Sequence, residues 1–184
     1  MNAWSKTGST ALVSAPQATA DHTQYLTFML GGEVFAIGIL VIKEIIEYSG
    51  LTSVPMMPDF IRGVINLRGA VVPVMDLMAR FGKQARPLTK RTCIVIVEID
   101  TGDAQQVIGV IVDAVNAVVE IAPFEIEPAP SFGARIHSEF IDGMGKVDGG
   151  FIILLNVNRV LSSDQFDTVS QSGAAILESE LVAH

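Results

Sequence analysis

The sequence predicts an all-β protein made of two small five-stranded β-barrels packed together, with short helices and mobile tails. The first observation is an internal repeat: the stretches that begin at Phe35 and at Ile108 share one apolar pattern, with Gly63 falling on Gly143 and Val74 on Leu154. The second is that apolar residues come in short runs broken by Gly, Pro, Asp or Asn, as in buried strands. Two copies are too few for a solenoid, so we expect two similar packed domains.

In the first copy, glycine turns separate the predicted strands. Segments 25–30 and 33–37 form a hairpin across Gly31-Gly32, and segment 40–48 is rich in β-branched residues. The residues that precede Pro55 and Pro58 avoid helical backbone, so this stretch is extended. The remaining elements are a helical turn over 59–62 capped by Asp59, a hairpin of 63–67 with 70–74 turned by Arg68-Gly69, and a short helix over 76–81.

The second copy repeats this order. Its predicted strands are 92–98, 106–112 and 115–121, then a hairpin of 140–147 with 151–155, followed by a short helix over 157–161. The expected division of the chain is a disordered leader at 1–22, a first barrel at 23–82, a linker at 83–91, a second barrel at 92–161 and a partly helical tail at 162–184.

Composition excludes several functions. The chain has 12 basic and 20 acidic residues, a net charge of −8, which disfavours nucleic acid and anionic membrane surfaces as partners. No apolar run reaches the roughly 18 residues that a membrane helix needs, so direct membrane insertion is not expected. With Cys93 as the single cysteine no intrachain disulfide can form, and the N-terminus lacks a secretory signal. These features indicate the cytoplasm.

The sequence lacks the residue clusters that catalysis and cofactors require. Of the three histidines, only His137 lies within a predicted domain, so a metal site is unsupported. Cys93 lies in an apolar run typical of a buried small residue, and no phosphate-binding or dinucleotide motif occurs. Glu47 and Glu120 occupy equivalent positions, which favours a structural role at strand ends. We therefore expect no cofactor and no enzymatic activity.

The two copies differ most in charge, and these positions are the candidates for binding. Arg68 corresponds to Asp148, Arg62 to Asp142 and Glu44 to Ala117. An arginine at a hairpin tip can make a planar contact with a partner, although it can also be a solvated turn residue. A charged residue in a strand such as Glu44 can instead protect a sheet edge from aggregation.

The run 63–77, Gly-Val-Ile-Asn-Leu-Arg-Gly-Ala-Val-Val-Pro-Val-Met-Asp-Leu, resembles the signature of the CheW family of bacterial chemotaxis coupling proteins. Segments 38–45, 107–113 and 126–130 support the resemblance, which extends from Tyr25 to Leu161. It implies a pair of SH3-like five-stranded barrels, and it leaves open an exchange of terminal strands between them that would change the barrel boundaries. It also implies an adaptor that joins the cytoplasmic hairpin of chemoreceptors to the regulatory domain of the histidine kinase CheA, which shares the double-barrel form.

Carried over by position, the resemblance implies two sets of site residues. The receptor-binding set lines a groove between the barrels and comprises Arg68, Cys93, Val115 and Val118, with Gly109 influencing both contacts; the kinase-binding set comprises Ile42, Glu44 and Gly63. Relatives often have valine at the position of Cys93 and an acidic residue at that of Ala117. Such a chain would be cytoplasmic and recruited to receptor arrays. Alternatives are the same adaptor in a non-flagellar chemosensory pathway, an SH3-like nucleic-acid binder, or a small-molecule regulatory domain.

Overall fold

The computed structural model describes residues 22–129 and 136–161. Within them the chain forms eleven strands and two short α-helices, with 3-10 turns at Ile39–Val41, Pro123–Glu125 and Ser138–Phe140. The strands are β1 (Thr23–Leu30), β2 (Glu33–Gly38), β3 (Ile42–Glu47), β4 (Ile61–Leu67), β5 (Ala70–Asp76), β6 (Cys93–Asp100), β7 (Gln105–Val112), β8 (Ala114–Ile121), β9 (Ile126–Glu127), β10 (Ile141–Val147) and β11 (Gly150–Leu155). The helices are α1 (Leu77–Arg80) and α2 (Val157–Leu161). The prediction of an all-β fold is confirmed.

Two sheets divide the strands. One has the order β8-β1-β2-β11-β10-β9, and we call it the terminal barrel because it joins the first strands of the chain to the last ones. The other has the order β3-β6-β7-β5-β4 and is called the central barrel. Each contains one parallel pairing, β2 with β11 and β5 with β7, at equivalent places in the two copies.

The division of the chain at 23–82 and 92–161 does not coincide with these sheets. Strands β1 and β2 of the first copy pair with β8 and β11 of the second, while β6 and β7 of the second copy pair with β3 and β5 of the first. The first two strands of each copy are therefore exchanged. The apolar pattern does not reveal this exchange, because a strand of either copy offers the same alternating face to its neighbour.

A bent strand closes each barrel. In the central barrel the chain beyond β3 returns at Thr52, which pairs with Val64 on β4 through hydrogen bonds of 3.0 and 2.9 Å. In the terminal barrel the chain beyond β8 returns as β9, which pairs with β10. Counting β8 and β9 as one bent strand, both barrels have the predicted five strands.

Three apolar clusters hold the molecule together. One fills the central barrel with Val72, Val74, Ile94 and Ile96, and a second fills the terminal barrel with Ala36, Ile121, Ile152 and Leu154. The largest lies between the barrels and takes side chains from both sheets, including Phe28, Phe35, Val95, Val97 and Val110. The barrels therefore share a continuous interface of core-like packing.

A few local expectations need correction or lie outside the description. The predicted helical turn over 59–62 is a turn at 59–60, after which β4 already begins at Ile61. Ile39–Val41 forms a 3-10 turn, so the strand predicted over 40–48 begins at Ile42. The leader up to residue 21 and the tail from residue 162 lie outside the described residues. Within the described part, neither α-helix approaches the length or apolarity of a membrane span.

Candidate protein-docking surfaces

Residues 22–129 and 136–161 contain no group of three or more His, Cys, Asp or Glu side chains that could hold a metal ion. A void of about 20 Å³ between the barrels has a wholly apolar lining that includes Phe28, Val97 and Val110. It is about large enough for one water molecule and offers that molecule no polar partner.

The tip of the β4–β5 hairpin presents Arg68 in a left-handed conformation, with φ of +52°. The Asn66 side-chain oxygen accepts a hydrogen bond from the Gly69 amide at 2.8 Å, which holds this two-residue turn. The Arg68 side chain is 77% exposed, and its guanidinium donates to the Glu44 carboxylate on β3, with 2.8 Å between Nη2 and Oε2. The ion pair thus connects the β4–β5 turn at one end of the central sheet order with β3 at the other end.

Glu44 is the less accessible member of the pair, since its side chain is only 25% exposed. Its other oxygen, Oε1, is buried and has no hydrogen-bond partner. The neighbouring Lys43 forms an ion pair with Glu98 on β6. A cleft of about 450 Å³ runs along this face between Lys43, Glu44, Arg68 and Val107. This face therefore combines two cations, a partly buried carboxylate and an apolar floor.

The other two residues of the kinase-binding set differ in accessibility. Ile42 begins β3 and is half-buried against the cluster between the barrels. Gly63 is buried, and a Cβ atom added there would lie 2.4 Å from the Thr52 carbonyl oxygen. Its counterpart Gly143 meets Glu127 in the same way, at 2.8 Å. The lack of a side chain at Gly63 therefore lets the bent strand approach β4.

The receptor-binding set is spread over both barrels. Cys93 begins β6 and Val115 lies on β8, and both are half-buried against the cluster between the barrels. Val118, also on β8, is 49% exposed. Gly109 lies inside the central barrel, where an added Cβ would meet Ile94 Cγ2 at 2.8 Å. Cys93 and Val115 therefore border the junction of the barrels, Val118 is accessible, and Gly109 has a packing role.

The structure joins members of the two sets that the resemblance kept apart. Arg68 contacts Glu44, which pairs with Ile96 on β6, whereas Cys93 pairs with Glu47. Ile96 and Cys93 lie three positions apart on β6, a distance of about 10 Å. Arg68 therefore lies closer to Glu44, which belongs to the kinase-binding set, than to Cys93, which belongs to its own set.

Sequence reasoning missed a cation that links the two short helices. Arg80 of α1 donates from Nε to the Val160 carbonyl of α2 at 3.1 Å, and its guanidinium lies 4.9 Å from the ring centre of Phe60 and 5.0 Å from that of Phe140. Burial lowers the pKa of Arg80, an effect that the nearby Glu139 carboxylate opposes. The sequence carried no indication of this contact, because its partners lie far along the chain.

Asp76 organises the end of β5 and the start of α1, a capping role that the sequence analysis did not assign to it. One carboxylate oxygen accepts from the amides of Met78 and Ala79 at the start of α1, and the other accepts from Arg62 at 3.1 Å. An aspartate directly before an apolar helical turn is a common N-cap. Arg62, one of the positions where the copies differ in charge, is therefore partly engaged within the chain.

Known proteins resemble this chain over nearly all of its described residues. The family model described as a CheW-like domain matches residues 24–165. The chemotaxis protein CheW of Klebsiella aerogenes is 34% identical over 152 residues, which cover 81% of this chain and 89% of the relative. The chemotaxis protein CheW of Rhizobium meliloti is 30% identical over 152 residues, covering 83% and 96%.

A solved structure agrees with these sequence matches. The crystal structure of the scaffolding protein TtCheW from Thermoanaerobacter tengcongensis superposes with a TM-score of 0.70 and 35% identity, covering 78% of this chain and 90% of that one. The filled barrels, the Asn-Leu-Arg-Gly hairpin that carries Arg68, and the match of the family model to the whole double barrel lead to the same conclusion. This chain belongs to the CheW-like domain family.

Proposed function

We propose that this chain is a non-catalytic scaffold of chemotaxis, which binds the cytoplasmic hairpin of chemoreceptors and the regulatory domain of the histidine kinase CheA. The observation that carries the proposal is the match over the whole double barrel to relatives named as chemotaxis protein CheW and to a protein titled as a scaffolding protein. The apolar filling of both barrels agrees with it.

The receptor would dock at the junction of the barrels. Val118 offers an exposed apolar side chain, and Val115 and Cys93 continue this surface toward the core. An amphipathic helical hairpin fits such a surface through apolar contacts at regular spacing. Arg68 would fix the orientation of the receptor, since charged groups at the rim of an interface add more specificity than affinity.

The kinase would dock beside β3 of the central barrel. Ile42 and Glu44 lie on this strand, while Gly63 shapes the adjoining β4. Because the kinase's regulatory domain has the same double-barrel form, the two proteins could alternate head to tail. The Arg68–Glu44 ion pair would then lie between the two partners' surfaces and respond to both.

The proposal is tested by measuring both affinities for one set of variants. Purified chain is titrated against a receptor cytoplasmic fragment and, separately, against the CheA regulatory domain. We expect Val118→Ser to weaken the receptor contact and leave the kinase contact unchanged, because the side chain is exposed and its loss does not disturb the core. The matched control is Phe151→Ser on β11, whose side chain is 54% exposed and which belongs to neither set. Failure of the native chain to bind either partner would refute the proposal.

A pathway readout complements the titrations. Kinase activity is measured with receptor-containing membranes in the presence and absence of the chain. We expect receptor control of the kinase only when the chain is present, and we expect the chain to be recovered with the membranes only when they contain receptor. Equal kinase activity with and without the chain would contradict the scaffold role.

A further inference from the structure

The linker between the copies is the most basic segment of an acidic protein. Residues 83–91 contain four of the 12 basic residues of the chain, and residues 77–97 contain no acidic residue. The side chains of Arg86, Lys90 and Arg91 are exposed, and Lys83 is half-buried. Such a local excess of positive charge, within a chain of net charge −8, creates a favourable position for a carboxylate-rich segment.

These four cations have little compensation from the described residues. Arg86 Nε lies 3.9 Å from the Asp113 carboxylate, beyond hydrogen-bonding distance. No ion pair among the described residues includes Lys83, Lys90 or Arg91. Leu88 lies between them and is 58% exposed. Together these residues form what we call the linker surface, which combines positive charge with an exposed apolar side chain.

The chain itself carries a segment of complementary composition. Residues 162–184 contain Asp164, Asp167, Glu178 and Glu180 and no lysine or arginine. The second pair of acids is flanked by the apolar residues Ile176, Leu177, Leu181 and Val182. This segment therefore offers what the linker surface lacks, namely carboxylates and apolar side chains.

The fold delivers the segment close to the linker surface. Described structure ends at Leu161, and the preceding Val160 accepts a hydrogen bond from Arg80 at 3.1 Å. Arg80 precedes Lys83 by three residues, which span at most about 11 Å. The 12 residues from 162 to 173 are far longer than this gap, so the chain can reach the linker without strain. A tethered segment also has a high effective concentration at its target.

We propose that the acidic segment 162–184 docks on the linker surface of its own chain. Carboxylates of the segment pair with Arg86, Lys90 and Arg91, and its apolar residues cover Leu88. The proposal does not depend on receptor or kinase binding, so either proposal can fail while the other holds.

The test is paramagnetic broadening in the full-length chain. A nitroxide is attached at Ala174→Cys in a Cys93→Ser background, and amide peak intensities are compared with the diamagnetic form. We expect the amides of 83–91 to lose intensity at low salt. We expect recovery at about 1 M sodium chloride, where the screening length falls to about 3 Å. We also expect recovery when Asp164, Asp167, Glu178 and Glu180 are changed together to their amides.

The matched control changes Asp103 and Asp148, which lie in exposed turns, to asparagine. These two changes should leave the broadening of the linker amides unchanged. Unchanged amide intensities in 83–91, or broadening that survives neutralisation of the acidic segment, would overturn the proposal. Broadening seen only when spin-labelled and isotope-labelled chains are mixed would show docking on a second copy, which overturns it as well. If Cys93→Ser does not fold, amide shifts of 83–91 with and without the four neutralising changes give the same answer in the native background.

Discussion

Arg68 at the tip of one hairpin and Glu44 on the edge strand β3 are joined by a hydrogen bond of 2.8 Å. The bond connects a residue that resemblance assigns to the receptor with one that it assigns to the kinase. Each side chain therefore positions the other. A substitution at either member is therefore expected to affect both of the proposed contacts.

We expect Arg68→Ala to weaken receptor binding by about tenfold, equivalent to about 1.4 kcal/mol. We expect the free energy of unfolding to change by less than about 1 kcal/mol, because exposed ion pairs contribute little to stability. Glu44→Gln should also weaken receptor binding, since Arg68 loses its anchor. Titration and thermal unfolding check both variants, with Lys43→Ala as the control for a neighbouring ion pair. A collapse of the melting temperature would show that Arg68 is structural.

Gly63→Ala should destabilise the central barrel by about 1–3 kcal/mol, the range typical of overpacked sites. The added methyl would lie 2.4 Å from the Thr52 carbonyl oxygen, which also accepts from Val64, so the closing bridge must break or shift. Gly38→Ala is the matched control, because an added Cβ there meets nothing within 4 Å. Urea unfolding compares the two variants. Equal stability of both would contradict the packing role of Gly63.

Arg80→Ala should lower the free energy of unfolding by about 2 kcal/mol, since it removes cation–π contacts and leaves the Val160 carbonyl without its donor. Arg80→Lys should recover part of the loss because the charge above the rings is kept. Arg159→Ala, an exposed change on α2, provides the control in chemical denaturation. If Arg80→Ala leaves the free energy of unfolding unchanged, the two helices hold their places without this contact.

Tyr25→Phe should make stability less sensitive to alkaline pH. Burial, together with the Asp142 carboxylate, raises the pKa of Tyr25 above its ordinary value of 10.0, although a hydrogen bond with Thr23 lowers it slightly. The phenol is neutral when protonated, so the folded chain holds this proton more tightly than the unfolded chain does. The resulting stabilisation is complete below about pH 10 and is lost as pH rises through the higher folded pKa.

The measurement is urea unfolding at about pH 9 and about pH 11, on either side of the ordinary tyrosine pKa. We expect the native chain to lose more stability over this interval than Tyr25→Phe, with Tyr48→Phe as the control for the other tyrosine. An identical loss in all three proteins would show that Tyr25 has no part in the alkaline transition.

Local chemistry allowed most elements to be predicted. Gly31-Gly32 and Arg68-Gly69 turn hairpins where expected, and the short helix expected over 76–81 forms at Leu77–Arg80. The expectation at Asp59 was wrong because β4 begins at Ile61, directly after the turn. These successes and this failure concern neighbours in the sequence. Their outcome depends on backbone preferences over a few residues.

Long-range pairings were not predictable in the same way. The alternation of β1 fits β8 as well as it would fit a strand of its own copy, so the exchange carries no local signature. The contact of Arg68 with Glu44 likewise joins residues 24 positions apart. Their roles as site residues rest on family resemblance, since a turn arginine and a strand glutamate have ordinary explanations of their own. The experiments above separate these explanations.

The woven arrangement of β1 and β2 with β8, β10 and β11 makes the central barrel one continuous segment, β3 to β7, inserted into the terminal barrel. The polypeptide therefore crosses from one cylinder to the other twice, after β2 and before β8. A single cut in the backbone cannot release one cylinder from the other.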